Sequence, residues 1–253
     1  MERNALMSDR LAGRNAIVTG GSRGIGAAIA QRLAADGANV AITYNSSRDA
    51  AEAVVAKIEG MGRKGLAVQA DASDPGAASD YVARAKDAFG GLDILVHNAG
   101  VAAFAPIADA SVEDMRRQFA VNVDAVFAGT AAAVPHMNDG GAIVITGSVN
   151  AHAMPVAGGS IYGATKAAVA AFARGWARDL GGRGIRVNVM QPGPVDTDMN
   201  PESGDFAKVL TPMTALKRYG RPEEIAALAA FLACDEASYI TGASIDIDGG
   251  MTI

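Results

Sequence analysis

The sequence predicts a single α/β domain, a seven-stranded parallel sheet with helices on both faces, and three observations carry this prediction. Short β-branched apolar runs recur along the chain, and helical stretches separate them. Continuous apolar strands are typical of a sheet that is buried on both faces, so their alternation with helices indicates a parallel sheet. The 253 residues are 50% hydrophobic, and no linker, repeat or low-complexity tract divides them. One large domain is therefore expected.

The expected elements follow one another in a regular order. β-branched runs predict strands at 15–19, 39–43, 66–69, 93–96, 142–146, 185–189 and 244–247. Helical stretches are expected at 24–36, 48–61, 76–89, 111–134, 161–180 and 222–233. Between Pro192 and Tyr219 the chain has four prolines and no clear period, which is typical of a lid or a disordered segment. We expect a substrate lid at about 194–216, and a flexible extension at 1–10 before a domain at 11–253.

Charge and cysteine content exclude several classes of protein. The net charge of −5 gives no sign of the excess basic surface that binding to nucleic acid or an anionic membrane requires. Cys234 is the only cysteine, which excludes an internal disulfide and a cysteine-based zinc site. His97, His136 and His152 lack metal-ligand spacing, so no metal is expected. No apolar run reaches the ~18 residues of a membrane span, and the N-terminus lacks an apolar signal region, so a cytoplasmic protein is expected.

Tyr162 and Lys166 form the most informative pair in the chain. They are four residues apart in an Ala-rich, helical stretch, so their side chains share one face of the helix, one turn apart. A free tyrosine titrates near pH ~10 and is a poor acid or base at neutral pH, but a neighbouring cation stabilises the phenolate. The pair is a candidate proton-transfer centre, although the same spacing also arises by chance on helix surfaces.

The first strand leads directly into the glycine-rich turn Thr19-Gly20-Gly21-Ser22-Arg23-Gly24-Ile25-Gly26 and then into a helix. Glycines let the backbone approach a pyrophosphate at a helix N-terminus, where free N–H groups and the helix dipole favour anions. The position between a strand and a helix supports a nucleotide site. Its candidate residues are Gly20, Ser22, Arg23, Gly24, Ile25 and Gly26.

The turn has the spacing Gly-x-x-x-Gly-x-Gly, and with Tyr-x-x-x-Lys downstream it resembles the short-chain dehydrogenase/reductase family, whose members have the Rossmann fold. The resemblance covers nearly the whole chain. Further matches, in order, are Asn98-Ala99-Gly100, Asn122, Ser148, Pro192-Gly193, Thr197 and Asp248-Gly249-Gly250. The resemblance implies that Asn98, Ala99 and Gly100 support the adenine side of a nicotinamide cofactor. It also implies contacts of Pro192, Gly193, Val195 and Thr197 with the nicotinamide side.

The family resemblance also implies catalytic roles. Tyr162 is expected to exchange a proton with the substrate oxygen as hydride is transferred. Lys166 is expected to lower the pKa of Tyr162 and to hold the nicotinamide ribose. Ser148 is expected to bind the substrate oxygen, and Asn122 to support a water chain that connects Lys166 with solvent.

The end of the second strand predicts the cofactor. NAD-preferring relatives have an acidic residue there that binds the ribose 2′-hydroxyl. This chain has Tyr44, followed by Asn45, Ser46 and Ser47, and no acid before Asp49. The two serines are typical helix N-caps that can take a phosphate, and Arg23 is placed to pair with it. We therefore predict NADP(H) rather than NAD(H), with Asp71 and Ala72 bordering the adenine.

The substrate is less constrained. The spacing of fourteen residues between Ser148 and Tyr162 is long for the family, and the inserted loop contains Asn150 and His152 as candidate substrate residues. For His152 a solvated position in the loop is the alternative, and we favour it. Met199, Phe206, Leu210 and Met213 are candidate apolar contacts from the lid. The resemblance extends to 3-oxoacyl-carrier-protein reductases, which dock an acidic carrier through basic residues. Between Gln118 and Arg174 only Lys166 is basic, with Arg183 as half of a patch, so we favour a small ketone or aldehyde.

Three further expectations come from the resemblance. The segments 147–150, 154–158 and 191–198 resemble a protein of this fold that is associated with biofilm dispersal and binds cyclic-di-GMP. A cyclic-di-GMP-binding regulator is therefore the alternative to an enzyme. Relatives are mostly homotetramers that associate through the helices near 111–134 and 161–180 and the last strand. His97, where relatives often have asparagine, is expected to be structural.

Overall fold

The computed structural model describes residues 9–253, and in these residues seven parallel strands form one sheet in the order β3-β2-β1-β4-β5-β6-β7. The strands are β1 (Asn15–Val18), β2 (Asn39–Tyr44), β3 (Gly65–Gln69), β4 (Leu92–His97), β5 (Met137–Thr146), β6 (Arg186–Pro192) and β7 (Ser244–Ile247). The seven-stranded parallel sheet is thus confirmed. The strand order reverses direction between β1 and β4, which opens a crevice at the carboxyl ends of the strands.

The helices cover both faces of the sheet, as expected. They are α1 (Gly24–Ala35), α2 (Arg48–Gly60), α3 (Ala77–Phe89), α4 (Val112–Phe119), α5 (Ala125–Ala133), α6 (Ser160–Leu180), α7 (Ala207–Leu210) and α8 (Pro222–Ala233). Side chains along each strand alternate between two cores. In β1, Ala16 and Val18 pack with α1, α2 and α8, whereas Ile17 packs with α3, α5 and α6 on the opposite face.

Two boundaries differ from the sequence-based expectation. The helix expected over 111–134 is divided by a π-helical turn at Ala120–Asp124, which contains Asn122. Such turns insert one residue into the hydrogen-bond ladder and often occur at functional sites. In addition, β5 begins at Met137 rather than at 142, because Met137 pairs with Leu92 ahead of a register irregularity in the β4–β5 ladder.

The segment expected to be a lid is more structured than its sequence suggests. It contains α7 and a 3-10 turn at Thr211–Met213. Ala207 and Leu210 form a small core with Tyr219, so the segment packs on the body of the domain. Of the expected N-terminal extension, residues 1–8 lie outside the described residues, and Arg10 donates a hydrogen bond to Asp36 at 2.8 Å. Within the described part of the chain, the helices are too short or too polar to cross a membrane.

Candidate active site

A cleft of about 620 Å³ runs along the carboxyl edge of the sheet. This is where the strand ends of a doubly wound sheet bring their loops together. The expected cofactor residues that line the cleft are Gly20, Ser22, Arg23, Gly24, Ile25, Tyr44, Asn45, Ser46, Ser47, Asp71, Ala72, Asn98, Ala99, Gly100, Tyr162, Lys166, Pro192, Gly193, Val195 and Thr197. Gly26 is the one member of the expected set that does not line the cleft, because it is buried beneath the turn.

The glycine-rich turn is held from below by Asn98. Its Nδ2 donates to the carbonyl oxygens of Thr19 and Gly20 at 3.2 and 3.1 Å. Gly20 has a φ of +64°, which favours glycine, and a Cβ on Gly26 would overlap the Gly20 carbonyl and Asn98 Nδ2. Two glycines therefore close the turn tightly, one through its backbone angle and the other through the lack of a side chain.

The first turn of α1 has unpartnered N–H groups that are available to an anion. The N-cap is Arg23, and no side chain caps this end of the helix. In an α-helix the first N–H groups have no intrahelical acceptor, so an anion in the cleft can accept from them. A dinucleotide pyrophosphate fits this position.

A second set of hydrogen-bond donors that could bind an anion lies at the end of β2. Ser47 is the N-cap of α2, and its side chain makes no capping hydrogen bond, so its hydroxyl is free. The N–H of Arg48 donates to the Ser46 carbonyl at 3.1 Å, which leaves the N–H groups of Asp49 and Ala50 for an anion. Arg23 lines the same cleft, is 65% exposed, and forms a long 3.8 Å ion pair with Asp198. Asp49 does not line the cleft. This end is thus suited to a phosphate rather than to a free ribose hydroxyl.

Tyr162, Lys166 and Ser148 converge in the middle of the cleft. Lys166 Nζ lies 5.6 Å from the centroid of the Tyr162 ring and donates to the carbonyl oxygen of Thr146 at 2.9 Å. Burial raises the pKa of Tyr162, and its hydrogen bond with Ser148 acts in the opposite direction. Burial lowers the pKa of Lys166 to about 8. Without a cofactor the protein therefore keeps Tyr162 protonated, which suits a proton donor.

The position of Ser148 depends on Gln191, a residue that the sequence analysis did not single out. Gln191 is buried in β6, and its Oε1 accepts from the backbone N–H of Ser148 at 2.6 Å. A Cβ on Gly147 would overlap the same Gln191 oxygen. The Ser148 hydroxyl is oriented by Asn150, donating to its Oδ1 at 3.3 Å and accepting from its backbone N–H at 3.2 Å.

Asn122 lies behind the cleft, in the π-helical turn, and is buried. Its Nδ2 donates to the Val101 carbonyl at 2.8 Å and to Thr165 Oγ1 at 3.1 Å, and its Oδ1 accepts from the Val101 N–H at 2.9 Å. A Cβ on Gly100 would lie 3.3 Å from Asn122 Oδ1 and 3.6 Å from Lys166 Nζ, so both groups flank the same glycine. Asn122 thus connects the loop after β4 to the helix that carries Tyr162 and Lys166.

The expected substrate residues are divided between two places. Asn150, Met199, Phe206 and Leu210 line the cleft, whereas Met213 and His152 do not. His152 Nε2 lies 3.4 Å from Asp246 on the edge strand β7. His152 directly follows the 3-10 turn at Val149–Ala151, and its side chain is directed to Asp246 and away from the cleft, which Val149 and Asn150 before it and Pro155 and Val156 after it line.

Comparison with known proteins agrees with this geometry. A family model described as enoyl-(acyl carrier protein) reductase matches residues 20–252. The chain is 45% identical to the cyclic-di-GMP-binding biofilm dispersal mediator protein of Escherichia coli K12, over 94% of this chain and 96% of that protein. It is 39% identical to 3β-hydroxysteroid dehydrogenase 1 of Eggerthella lenta, covering 98% and 97%. A short-chain dehydrogenase from Burkholderia cenocepacia J2315, solved with NADP, superposes with a TM-score of 0.95 at 50% identity, covering 97% and 100%.

The chain belongs to the short-chain dehydrogenase/reductase family. It is therefore a member of a family of oxidoreductases, and the resemblance inferred from the motifs is confirmed. Ser148, Tyr162 and Lys166 line one cleft.

Phe104 is the main cleft residue that the sequence analysis missed. It lies in the loop after β4, and its ring centroid is 5.8 Å from that of Tyr162 and 6.2 Å from that of Phe206. One signal was available: the loop follows Asn98-Ala99-Gly100 at the carboxyl end of a central strand, where ligands bind in this fold. The loop lacks any period that would assign its side chains to a face.

His97, in this short-chain dehydrogenase/reductase, is a buried structural residue. Its Nε2 lies 2.9 Å from Thr130 Oγ1, and burial lowers the pKa of His97 from 6.5 to about 3. Because the unfolded chain binds this proton more tightly, the contribution of His97 to stability is fully present above about pH 6.5 and is lost as the pH falls towards 3.

We expect a His97→Asn variant to be less sensitive to acid than the unaltered protein. Between about pH 7.5 and about pH 5, the free energy of unfolding of the unaltered protein should fall by about 2 kcal/mol more than that of the variant. Urea unfolding at both pH values measures the difference. His136→Asn, which alters an exposed histidine, is the control and should retain the full loss. An equal loss in all three proteins would contradict the assignment.

Proposed function

We propose that the protein is an NADP(H)-dependent oxidoreductase that interconverts a small ketone or aldehyde and the corresponding alcohol. The observation that carries this proposal is the convergence of Tyr162, Lys166 and Ser148 in one cleft, beside a glycine-rich turn suited to a dinucleotide. A binding module requires the turn alone, whereas a proton donor with a neighbouring ammonium and hydroxyl is useful for chemistry.

The cofactor, when bound, supplies the hydride that reduces the carbonyl carbon. The chain's own residues supply the proton and the orientation. The Ser148 hydroxyl accepts from the backbone N–H of Asn150, and its single O–H, which donates to Asn150 Oδ1 in the protein alone, would turn to donate to the substrate oxygen. Tyr162 donates its phenolic proton to the same oxygen, which yields the alcohol and leaves a phenolate. The Lys166 ammonium stabilises that phenolate, so Tyr162 gives up its proton more easily with Lys166 beside it.

Reprotonation of Tyr162 requires a route from solvent, and we propose that Asn122 supports it. The Asn122 side chain is committed to Val101 and Thr165, so its role is to hold the π-helical turn open beside Lys166. A chain of water molecules from this turn to Lys166 would return the proton. Asn122 is thus a positioning residue in this proposal.

Selectivity for NADP(H) over NAD(H) is proposed to depend on Arg23. This guanidinium can pair with the phosphate of the cofactor, beside the uncapped start of α2 at Ser47. The solved relative from B. cenocepacia contains NADP, which supports the same choice.

An Arg23→Ala variant is expected to bind NADPH about tenfold more weakly, with the affinity for NADH unchanged, because only the extra phosphate loses a charge-assisted partner. Calorimetric titration of both cofactors measures this. Arg84→Ala, which removes an exposed arginine paired with Asp80 on α3, is the charge-matched control and should change neither affinity. Equal weakening of both cofactors would refute the assignment of Arg23 to the phosphate.

A small substrate is favoured over a carrier-bound acyl chain. Arg183, the one candidate for a basic docking patch, is used within the domain: it donates to Asp139 at 2.8 Å and to the carbonyls of Val134 and Met137. We propose that residues 194–216 cover the bound substrate. Oxidation of NADPH in the presence of a panel of small ketones and aldehydes tests the enzyme proposal, and no turnover on any carbonyl would overturn it.

Cyclic-di-GMP binding is the second candidate function, and the 45% identity to a cyclic-di-GMP-binding relative favours it. A dinucleotide with two phosphates could use the anion-accepting helix ends of the same cleft. Calorimetry with cyclic-di-GMP, alone and with saturating NADPH, distinguishes the two candidate functions. Tight binding without carbonyl turnover would support a regulator.

We further propose that the protein is a homotetramer, as its family resemblance implies. Phe127 on α5 is 53% exposed and lies against Phe172 and Trp176 on α6, where the last two rings stack at 5.0 Å. A second copy of this chain packed on the same face would remove this aromatic surface from water. Sedimentation velocity tests the assembly, and a monomer would contradict it.

A further inference from the structure

An aromatic surface stands beside the proposed proton donor. Phe104 lies between Tyr162 and Phe206, with ring centroids at 5.8 and 6.2 Å and tilts of 44° and 58°. Phe104 and Phe206 remain 45% and 42% exposed, and both line the cleft. Two half-exposed phenylalanines facing a cleft next to a reactive phenol leave apolar area that a ligand can cover.

Phe104 is held in place by the contacts of its loop. The backbone N–H of its neighbour Ala105 donates to the Gly158 carbonyl at 3.0 Å, which ties the loop after β4 to the segment before α6. A Cβ on Gly159 would lie 3.1 Å from Phe104 Cε1, so the ring packs closely over that glycine. Phe206 comes from a different part of the chain, since it immediately precedes α7 in the lid segment, and it lines the same cleft.

Further apolar residues line the cleft that holds the two rings, namely Val149, Pro155, Val156, Leu210 and Met251. The neutral polar side chains of Asn150 and Asn200 line it as well. The charged residues that line the cleft, among those the structure describes, are Arg23, Asp71, Lys166 and Asp198. Lys166 is bound to the Thr146 carbonyl, Asp71 accepts from Ser73, Asp198 is 73% exposed to solvent, and Arg23 is assigned to the cofactor phosphate in the proposed function. A charged group on the substrate would therefore be desolvated without a partner.

We propose that the preferred substrate is an uncharged aromatic ketone or aldehyde whose ring packs against the exposed surfaces of Phe104 and Phe206 while its oxygen meets Tyr162 and Ser148. This rests on the proposed reductase function. Aromatic pairs gain from offset or edge-to-face contact beyond the burial of apolar area, so these walls favour an aryl group over a saturated ring of the same carbon skeleton. The two phenylalanines are then specificity-determining residues.

The test compares acetophenone with cyclohexyl methyl ketone, which share a carbon skeleton, as substrates with NADPH. The quantity measured is the ratio of kcat/KM values for the two ketones, in the unaltered protein and in Phe104→Leu and Phe206→Leu. Division of one protein's ratio by another's cancels the different intrinsic reactivity of the two carbonyls. Val209→Ala is the control, because Val209 is an exposed lid residue outside the cleft.

We expect each Phe→Leu variant to lower the aryl-to-cyclohexyl ratio of kcat/KM by about three- to tenfold. Leucine retains apolar contact with the substrate but loses the additional interaction between two aromatic rings. The control should leave the ratio unchanged. Ratios that are equal in all four proteins, with ketones turned over, would overturn the aromatic assignment and leave the reductase intact. No ketone turnover in the unaltered protein would instead remove the proposed function on which the assignment rests.

A binding measurement provides a second readout that does not depend on turnover. With NADPH in place the alcohol product cannot react, so calorimetry of 1-phenylethanol and 1-cyclohexylethanol on the NADPH-loaded protein reports the pocket alone. The aryl alcohol should bind more tightly, and Phe104→Leu should remove most of that preference. A preference that persists unchanged in both Phe→Leu variants would refute the role of the two rings.

Discussion

Replacement of Tyr162 by phenylalanine is expected to lower kcat/KM for ketone reduction by about two to four orders of magnitude, because the proton donor is lost. The ring remains, so the contacts with Phe104 and Lys166 persist and the fold should be retained. The affinity for NADPH should change little, since the anion-accepting groups at the glycine turn and at Ser47 are unaltered. Steady-state kinetics on a reducible ketone, with a calorimetric titration of NADPH, measures both properties.

Tyr239→Phe is the matched control for this experiment. Tyr239 is fully exposed and lies outside the cleft, so removal of its hydroxyl should leave kcat/KM unchanged. Residual activity of Tyr162→Phe above about one tenth of the unaltered protein would contradict general acid catalysis by this residue, given the usual size of such effects. Loss of NADPH affinity alongside activity would point to a defect in the cleft instead.

The sequence predicted the cleft because its determinants are local. A glycine at φ +64° and an uncapped helix start can be inferred from residue types near a strand end, and so can the serine that precedes α2. Parallel topology then brings the ends of β1, β2, β4, β5 and β6 to one edge of the sheet. Tyr162 and Lys166 share a face of α6 through the helical period alone.

Other parts of the site depend on contacts between distant segments, which a single sequence does not encode in any period. Phe104 and Phe206 meet only because the lid folds back on the loop after β4. Gln191 acts through one hydrogen bond from the backbone N–H of Ser148, a contact between β6 and the loop that follows β5. His152 is close in sequence to Ser148, yet it pairs with Asp246 because the direction of a short turn decides where its side chain lies.

The pKa values of Tyr162 and Lys166 also depend partly on local sequence and partly on contacts between distant segments. The sequence indicated that Lys166 is near Tyr162, and the expectation was a lowered tyrosine pKa. In the protein alone, burial raises the pKa of Tyr162, while Lys166 itself loses affinity for its proton and is held by the Thr146 carbonyl. The effect of the ammonium on the phenol therefore depends on whether burial or charge dominates, and that balance changes when a cofactor covers the cleft.

A methyl group at Gly26 is expected to damage the nucleotide site more than any other single-carbon change in the turn. The Cβ of a Gly26→Ala variant would overlap the Gly20 carbonyl and Asn98 Nδ2. Asn98 would have to release Thr19 and Gly20, whose carbonyls it now binds. Overpacking of this kind costs about 1–3 kcal/mol, and each lost hydrogen bond adds about 1 kcal/mol. We expect a free energy of unfolding lower by about 3–5 kcal/mol and strongly weakened NADPH binding.

Gly175→Ala is the matched control for this substitution, because it makes the same change in a helix. Gly175 lies within α6 and is exposed, and a Cβ added to it would meet no neighbouring atom within 4 Å. It should stabilise the protein by about 0.5–1 kcal/mol, since alanine loses less backbone entropy than glycine when a helix forms. Urea unfolding and NADPH titration of both variants give the comparison. If Gly26→Ala behaves like Gly175→Ala, the turn is not closed by contact between Gly26 and Gly20, and the nucleotide site must tolerate a side chain there.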